Sequence, residues 1–213
     1  MYNFLNKITP DYFEAICAIA QMEMLEAGYA GVVEFHYLHN DLSGIRYRNI
    51  SEMSQRVINA SNKSGIGLTL LPVLYEQSGV KGGNLISGQD RFGLKLCEFN
   101  KLIEEVISLE NKKGDFHIGV AAHSLRAVKK ISLKELSKNF LNYPTHIHVA
   151  EQMKEVSEIY SAWSKRPIEW MVENLDLNEK WCLIHCTQMH DYEAELLAKS
   201  GAVIGLCPIT EAN

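Results

Sequence analysis

Several absences narrow this sequence before any motif does. No apolar run approaches the roughly 20 residues that a membrane helix needs. The opening Met1-Tyr2-Asn3-Phe4 lacks the basic, apolar and small-residue regions of a signal peptide. There is no basic surplus: 21 Lys and Arg against 26 Asp and Glu leave a net charge of −5. Phosphate backbones are therefore poor partners. No Gly-x-Gly-x-x-Gly and no Walker-type loop argues for a nucleotide fold. The five cysteines, Cys17, Cys97, Cys182, Cys186 and Cys207, contain no Cys-x-x-Cys. Cys182 and Cys186 fall on one expected strand, where residues four apart lie roughly 13 Å apart. They read as buried free thiols in a reducing compartment. Together these absences point to a cytoplasmic protein with no membrane or nucleic-acid partner.

What is present is ordinary globular material. The 213 residues are 46% hydrophobic and 22% charged, enough for a single domain over 1–213. Thr9-Pro10-Asp11 opens a helix, Thr9 capping it and Pro10 at its first position. Phe13, Ile16, Cys17, Ala20 and Met24 recur at helical spacing on one face, and Gly28 stops the helix. Val32 to Leu38 is a strand. Ser51 caps a second helix through Met53, Val57 and Ile58, which Gly65 ends. Ile66 to Tyr75 is a nearly continuous apolar run, as in strands buried on both faces. The glycine-rich stretch Gly79 to Phe92 is a long loop of the kind that often carries function. A third helix presents Leu96, Phe99, Leu102, Ile103 and Val106, and Gly114 closes that segment. Phe116 to Ala122 is a strand. Ser132-Leu133-Lys134-Glu135 has capping-box spacing for a fourth helix. Thr145 to Gln152 follows, then helical patterns near Val156–Trp163 and Ile168–Leu175 around Pro167. Trp181 to Cys186 is a strand, Tyr192 to Lys199 a helix stopped by Gly201, and Ala202 to Cys207 the last strand.

Strict alternation of six strands with helices implies an α/β fold with a parallel sheet. Polar and ionisable residues gather just after every strand. A doubly wound sheet would concentrate its site at one switch point, whereas a (β/α)8 barrel collects residues from many strand ends. The even spread favours a TIM-type barrel. A barrel needs eight strands, so strands 2 to 7 are visible and the first and eighth are missing. The final Cys207 to Asn213 reads as the loop after a strand, and both ends look cut.

Three strand ends carry histidines that can converge: His123, His148 and His185. Glu151 lies three residues beyond His148. Imidazole binds a divalent ion without adding charge, a metal-bound water loses its proton near neutral pH, and a carboxylate moves that proton. Arg126, three residues after His123, offers a fork for a substrate carboxylate. Tyr37 can donate a hydrogen bond to a polar substrate. His36, His39 and His146 are weaker candidates, and His117 and His190 read as structural or solvated.

These stretches resemble a known family. Glu34-Phe35-His36-Tyr37-Leu38-His39, Gly65 to Val73, His123-Ser124-Leu125-Arg126-Ala127-Val128, His146-Ile147-His148-Val149-Ala150-Glu151-Gln152, Arg166-Pro167-Ile168-Glu169-Trp170 and Gly205 to Asn213 resemble the formimidoylglutamate deiminases of the amidohydrolase superfamily. The resemblance implies a zinc-dependent amidohydrolase barrel that hydrolyses N-formimino-L-glutamate to N-formyl-L-glutamate and ammonia in histidine degradation. It implies one Zn2+ per complete barrel, His148 as a metal ligand, Glu151 as proton shuttle and His185 as the residue that orients the water. It gives Arg126 the glutamyl carboxylate, and Tyr37 and His123 further substrate contacts. Dimerisation, common in that family, would cover part of the unpaired sheet edges.

Two parts of the family pattern have no counterpart in this sequence: the first-strand His-x-His pair and the eighth-strand aspartate. Two alternatives stay open: another amidohydrolase deaminase or chlorohydrolase-like enzyme, and a barrel that lost its metal. With one of four expected ligands, this polypeptide by itself is expected to bind zinc poorly and to lack deiminase activity. Turnover of formimino-glutamate at one equivalent of zinc per chain would overturn that expectation.

Overall fold

Strands alternate with helices along most of the chain, and the strands pair in parallel. The computed structural model describes residues 2–86, 88–110 and 115–212. The stop assigned to Gly114 lies outside the described residues. Two compact units result: residues 2–75 with 85–119, and residues 76–84 with 120–212.

The first unit begins with a short helix α1 (Tyr2–Leu5) and the long α2 (Pro10–Glu26). Thr9 caps α2 as expected, its Oγ1 accepting the Tyr12 N–H at 3.3 Å. The core strands are β1 (Gly31–His36) and β2 (Gly67–Leu74), joined by α3 (Glu52–Ser64). β1 pairs with β2 from Gly31↔Gly67 to His36↔Pro72. Gly65, at φ +82, ends α3 in the left-handed conformation that favours glycine. α4 (Leu96–Ser108) buries Phe99, Leu102, Ile103 and Val106, the face expected from their spacing. β3 (Phe116–Ile118) adds to the far edge of β2.

The long loop is held rather than loose. Its Arg91 is buried, and its guanidinium donates to the carbonyls of Leu5, Ile8, Asn40 and Asp41. Asn40 Nδ2 donates back to the Asp90 and Gly93 carbonyls at 2.6 and 3.0 Å. Gly44, at φ +75, lies so close to this loop that a Cβ would come 2.6 Å from Asp90 Cβ.

The second unit contains β4 (Val120–Ser124), α5 (Lys130–Asn139), β5 (Thr145–Val149), α6 (Met153–Trp163) and α7 (Pro167–Asn174). It continues with β6 (Trp181–His185), α8 (Asp191–Ser200), β7 (Val203–Gly205) and α9 (Pro208–Glu211). Its strands pair in the order β4-β5-β6-β7. Neighbours in sequence are neighbours in space, with no reversal of strand order. A doubly wound sheet would show one.

Five expectations need correction. The strand expected over Phe116 to Ala122 is two strands, β3 and β4, separated at Gly119. The apolar face assigned to α2 holds for Phe13, Cys17, Ala20 and Met24, which are half-buried, but Ile16 is 53% exposed and the fully buried residues are Glu14 and Gln21. Polar contacts to α3 occupy part of that face. Glu14 accepts from Lys63, Arg56 and Asn59, and Gln21 accepts from Ser64. α5 starts before the expected capping box, so Ser132 is buried inside it. Glu76, from a distant loop, accepts the Lys129 N–H at 3.0 Å and supplies the cap. The tail after β7 forms the short helix α9 rather than a loop. Ser51 does precede α3, but its side chain makes no cap bond. No described helix is long and apolar enough to cross a membrane.

One buried histidine makes stability depend on pH. His39 Nε2 donates to the Val73 carbonyl at 2.9 Å, and burial pushes its pKa down to about 4. Below pH 6.5 the unfolded chain binds a proton that the folded chain refuses. This contribution is therefore complete above 6.5 and lost as pH falls toward 4. Urea denaturation is expected to show that His39→Gln removes on the order of 3 kcal/mol of the stability difference between pH 7 and 4.

Candidate active site

β5 and β6 deliver the ionisable residues. Along β5, Thr145, Ile147 and Val149 are buried, while His146 and His148 share the opposite, half-buried face. That alternation is the two-residue period of a strand. The register sets His148 opposite Ser124 on β4 and Ile184 on β6, and Val149 opposite His185. The β4–β5 register slips between Ala122 and Ser124, so His123 sits in a bulge. Bulges re-aim side chains.

The three expected histidines form a row. Ring centroids are 5.5 Å apart for His123 and His148 and again 5.5 Å for His148 and His185. His148 Nδ1 lies 3.1 Å from the His123 carbonyl oxygen. A carbonyl only accepts, so Nδ1 carries the proton and Nε2 keeps its lone pair. Burial holds the His148 pKa below its ordinary value. Burial, with His148 and Arg126 nearby, pushes His123 down to about 3, and burial with His148 brings His146 to about 4. These three rings are neutral at pH 7.

Glu151 begins the loop after β5, its Oε1 3.8 Å from His185 Nε2. On its other side His185 meets Glu211, Nδ1 to Oε1 at 3.0 Å. Arg126 is half-buried, and its Nε makes no hydrogen bond among the described residues. A buried N–H without an acceptor is costly until one arrives. Of the six candidates, Tyr37 alone lies in the first unit, where its ring meets Phe92 edge-on at 4.8 Å. His36 is buried against Phe13 and His39, with both ring nitrogens unbonded among the described residues. His117 and His190 are exposed.

The backbone under this site is unusual. Ala150, His185 and Cys186 have φ of +50, +80 and +55. Such conformations cost about 1–3 kcal/mol each and persist only where surroundings impose them. Cys186 N–H donates to the Val149 carbonyl, Gln188 N–H to Ala150, and Thr187 Oγ1 to the Glu151 carbonyl at 2.8 Å. Arg166 fixes the far side, donating to the Gln188 carbonyl and to the fully buried Glu193, both at 2.6 Å.

Sequence reasoning gave Glu155 and Glu211 no role. Glu155 is 2% exposed, and its two oxygens accept the Ala150 and Glu151 N–H groups at 3.2 Å each. Burial raises its pKa. A glutamate four residues after Glu151 in the first turn of α6 was the available signal. Glu211 stood in a quoted motif without a role. Among the described residues, the donors close enough together to share an ion are His185, Cys207 and Glu211, a group that excludes His148. The cysteines are free, with Cys186 buried, Cys182 half-buried and Cys97 exposed.

Glu155→Leu should leave two N–H groups without acceptors at the strained turn. The expected cost is on the order of 2–5 kcal/mol, with faster amide exchange at Ala150 and Glu151. Calorimetry and hydrogen exchange measure the two effects, and unchanged exchange at those amides would count against this role.

No family model matches the sequence. A formimidoylglutamate deiminase of Pseudomonas aeruginosa is 41% identical over 215 aligned residues, covering 100% of this chain and 47% of the relative. The crystal structure of an amidohydrolase from Brucella melitensis superposes with a TM-score of 0.96 at 45% identity, over 100% of this chain and 48% of that one. An adenosine deaminase from Xanthomonas campestris with bound zinc shares the fold at a TM-score of 0.70 and 17% identity, over 96% and 44% of the two chains. The chain thus spans about half the length of the Pseudomonas relative. Its architecture is part of a TIM-type barrel, and by sequence and fold together the chain is similar to formimidoylglutamate deiminase over its whole length, with an amidohydrolase as a structural neighbour.

Proposed function

We propose that the protein carrying this chain is a zinc-dependent deiminase of N-formimino-L-glutamate, releasing ammonia and N-formyl-L-glutamate in histidine degradation, with both units belonging to one barrel domain. The row of His123, His148 and His185, with Glu151 beside it, carries this reading. The whole-chain likeness to a formimidoylglutamate deiminase supports it.

His148 suits a divalent ion: its Nδ1 proton is committed to the His123 carbonyl, and its Nε2 carries a lone pair on a neutral ring. The bound ion would lower the pKa of a water toward neutrality. The protein's own residues handle the rest. His185 accepts a hydrogen bond from the attacking water at Nε2 and orients it toward the formimino carbon. Glu151 takes a proton from that water and delivers it to the nitrogen that leaves as ammonia. Arg126 pairs its guanidinium with a glutamyl carboxylate, which would supply the acceptor its Nε lacks. His123 and Tyr37 add polar contacts to an acidic small-molecule substrate.

In the protein that carries this chain, Arg126→Ala is expected to raise KM for formimino-glutamate about 10- to 100-fold. Hydrolysis of a formimino amine lacking carboxylates should change little. Equal losses on both substrates would sink the assignment of Arg126. His148→Ala should strip the zinc, read by metal analysis of the purified protein.

A further inference from the structure

The sharpest unexplained contact at the site is the carboxylate behind His185. Glu211 lies on α9, and its side chain is only 14% exposed. One oxygen, Oε1, accepts the Cys207 N–H at 2.8 Å and lies 3.0 Å from His185 Nδ1. The Cys207 N–H first, and His185 after it, hold the carboxyl below the usual carboxylate range. An ionised carboxylate only accepts, so the proton between the two sits on Nδ1. The other ring nitrogen, Nε2, is the one that faces Glu151 at 3.8 Å.

We propose that Glu211 is a positioning residue for His185, fixing the ring as the Nδ1–H tautomer so that Nε2 presents a lone pair toward Glu151. The inference rests on the proposed function for why the lone pair matters, but not for the tautomer itself. An imidazole left alone in water favours its proton on Nε2. In that form His185 would donate toward Glu151 and could not accept a hydrogen bond from an attacking water. Glu211 also constrains direction. His185 holds φ +80, and its bond to Glu211 fixes where the ring leaving that left-handed residue lies. The backbone bond from Cys207 locks the carboxylate to its own short helix, so ring, carboxylate and helix form one unit. A carboxylate that orients a histidine in this way contributes through the ring and never touches substrate.

Long-range 1H–15N spectra of histidine-labelled protein carrying this chain distinguish the two tautomers directly. At pH 7.5 His185 is expected to show a protonated Nδ1 and a bare Nε2. Glu211→Leu should shift the ring to the Nε2–H form, while the His148 signals keep their Nδ1–H pattern and report an intact fold. Glu211→Gln, whose amide oxygen can still accept, should retain part of the native tautomer. In the same proteins kcat should fall on the order of 10- to 100-fold for Glu211→Leu, with KM little changed. A native His185 protonated on Nε2, or a tautomer indifferent to both substitutions, would overturn the proposal. The spectra decide this whatever the substrate proves to be. A shifted tautomer in a protein that never turns over formimino-glutamate would uphold the positioning role and refute the activity instead.

Discussion

A neutral imidazole has one proton and one lone pair, and the hydrogen bond at one nitrogen decides what the other can do. The second unit is organised around that constraint. His148 spends its Nδ1 proton on the carbonyl of His123, and His185 directs Nδ1 at Glu211. Both rings therefore turn Nε2 away from their own partners. Burial reinforces the arrangement by keeping His123, His146 and His148 uncharged. Charged imidazoles at 5.5 Å spacing would repel one another and could not serve as metal donors.

Holding those nitrogens in place requires backbone that ordinary strands do not have. Two strands end in left-handed residues, Ala150 after β5 and His185 with Cys186 at β6. Each distortion has a buried carboxylate behind it. Glu155 collects the N–H groups of Ala150 and Glu151, and Glu193 anchors the Arg166 that grips Gln188. The strain is local, and the restraining groups come from α6 and α8, outside the turns themselves. The loops that follow β5 and β6 are also bonded to each other through Thr187 and Gln188. Movement of either loop would disturb the other.

The sequence showed the architecture more readily than its exceptions. The apolar run of β2 and the alternation in β5 are periodic, and period survives without tertiary context. Gly65 and Gly201 announced their helix ends because both positions need positive φ. The polar part of the buried face of α2 was not legible, because its partners lie on α3. Glu14 looks like a surface residue until Lys63, Arg56 and Asn59 are known to surround it. The start of α5 was hidden for a related reason: its cap is Glu76, more than fifty positions away. At the site, His148 and Glu151 stood out as types that do chemistry, whereas Glu155 and Glu211 act only through hydrogen bonds that folding creates.

The two histidine partners differ in a way that matches the different tasks proposed for the rings. A backbone carbonyl orients a ring but carries no charge to stabilise an imidazolium. A carboxylate does both, so positive charge that develops on the ring during proton transfer meets a nearby negative group. His148, backed by a carbonyl, is suited to remain neutral and donate a lone pair. His185, backed by Glu211 and facing Glu151, lies between two carboxylates and is suited to orient a polar group beside the proposed proton shuttle. The same geometry bears on His185 as a metal donor: Nδ1, 3.0 Å from Glu211 Oε1, is already engaged by that carboxylate. A ligand bond at Nδ1 would displace the proton that Glu211 is proposed to hold there, so the contact that frees the Nε2 lone pair also makes His185 a reluctant ligand at Nδ1.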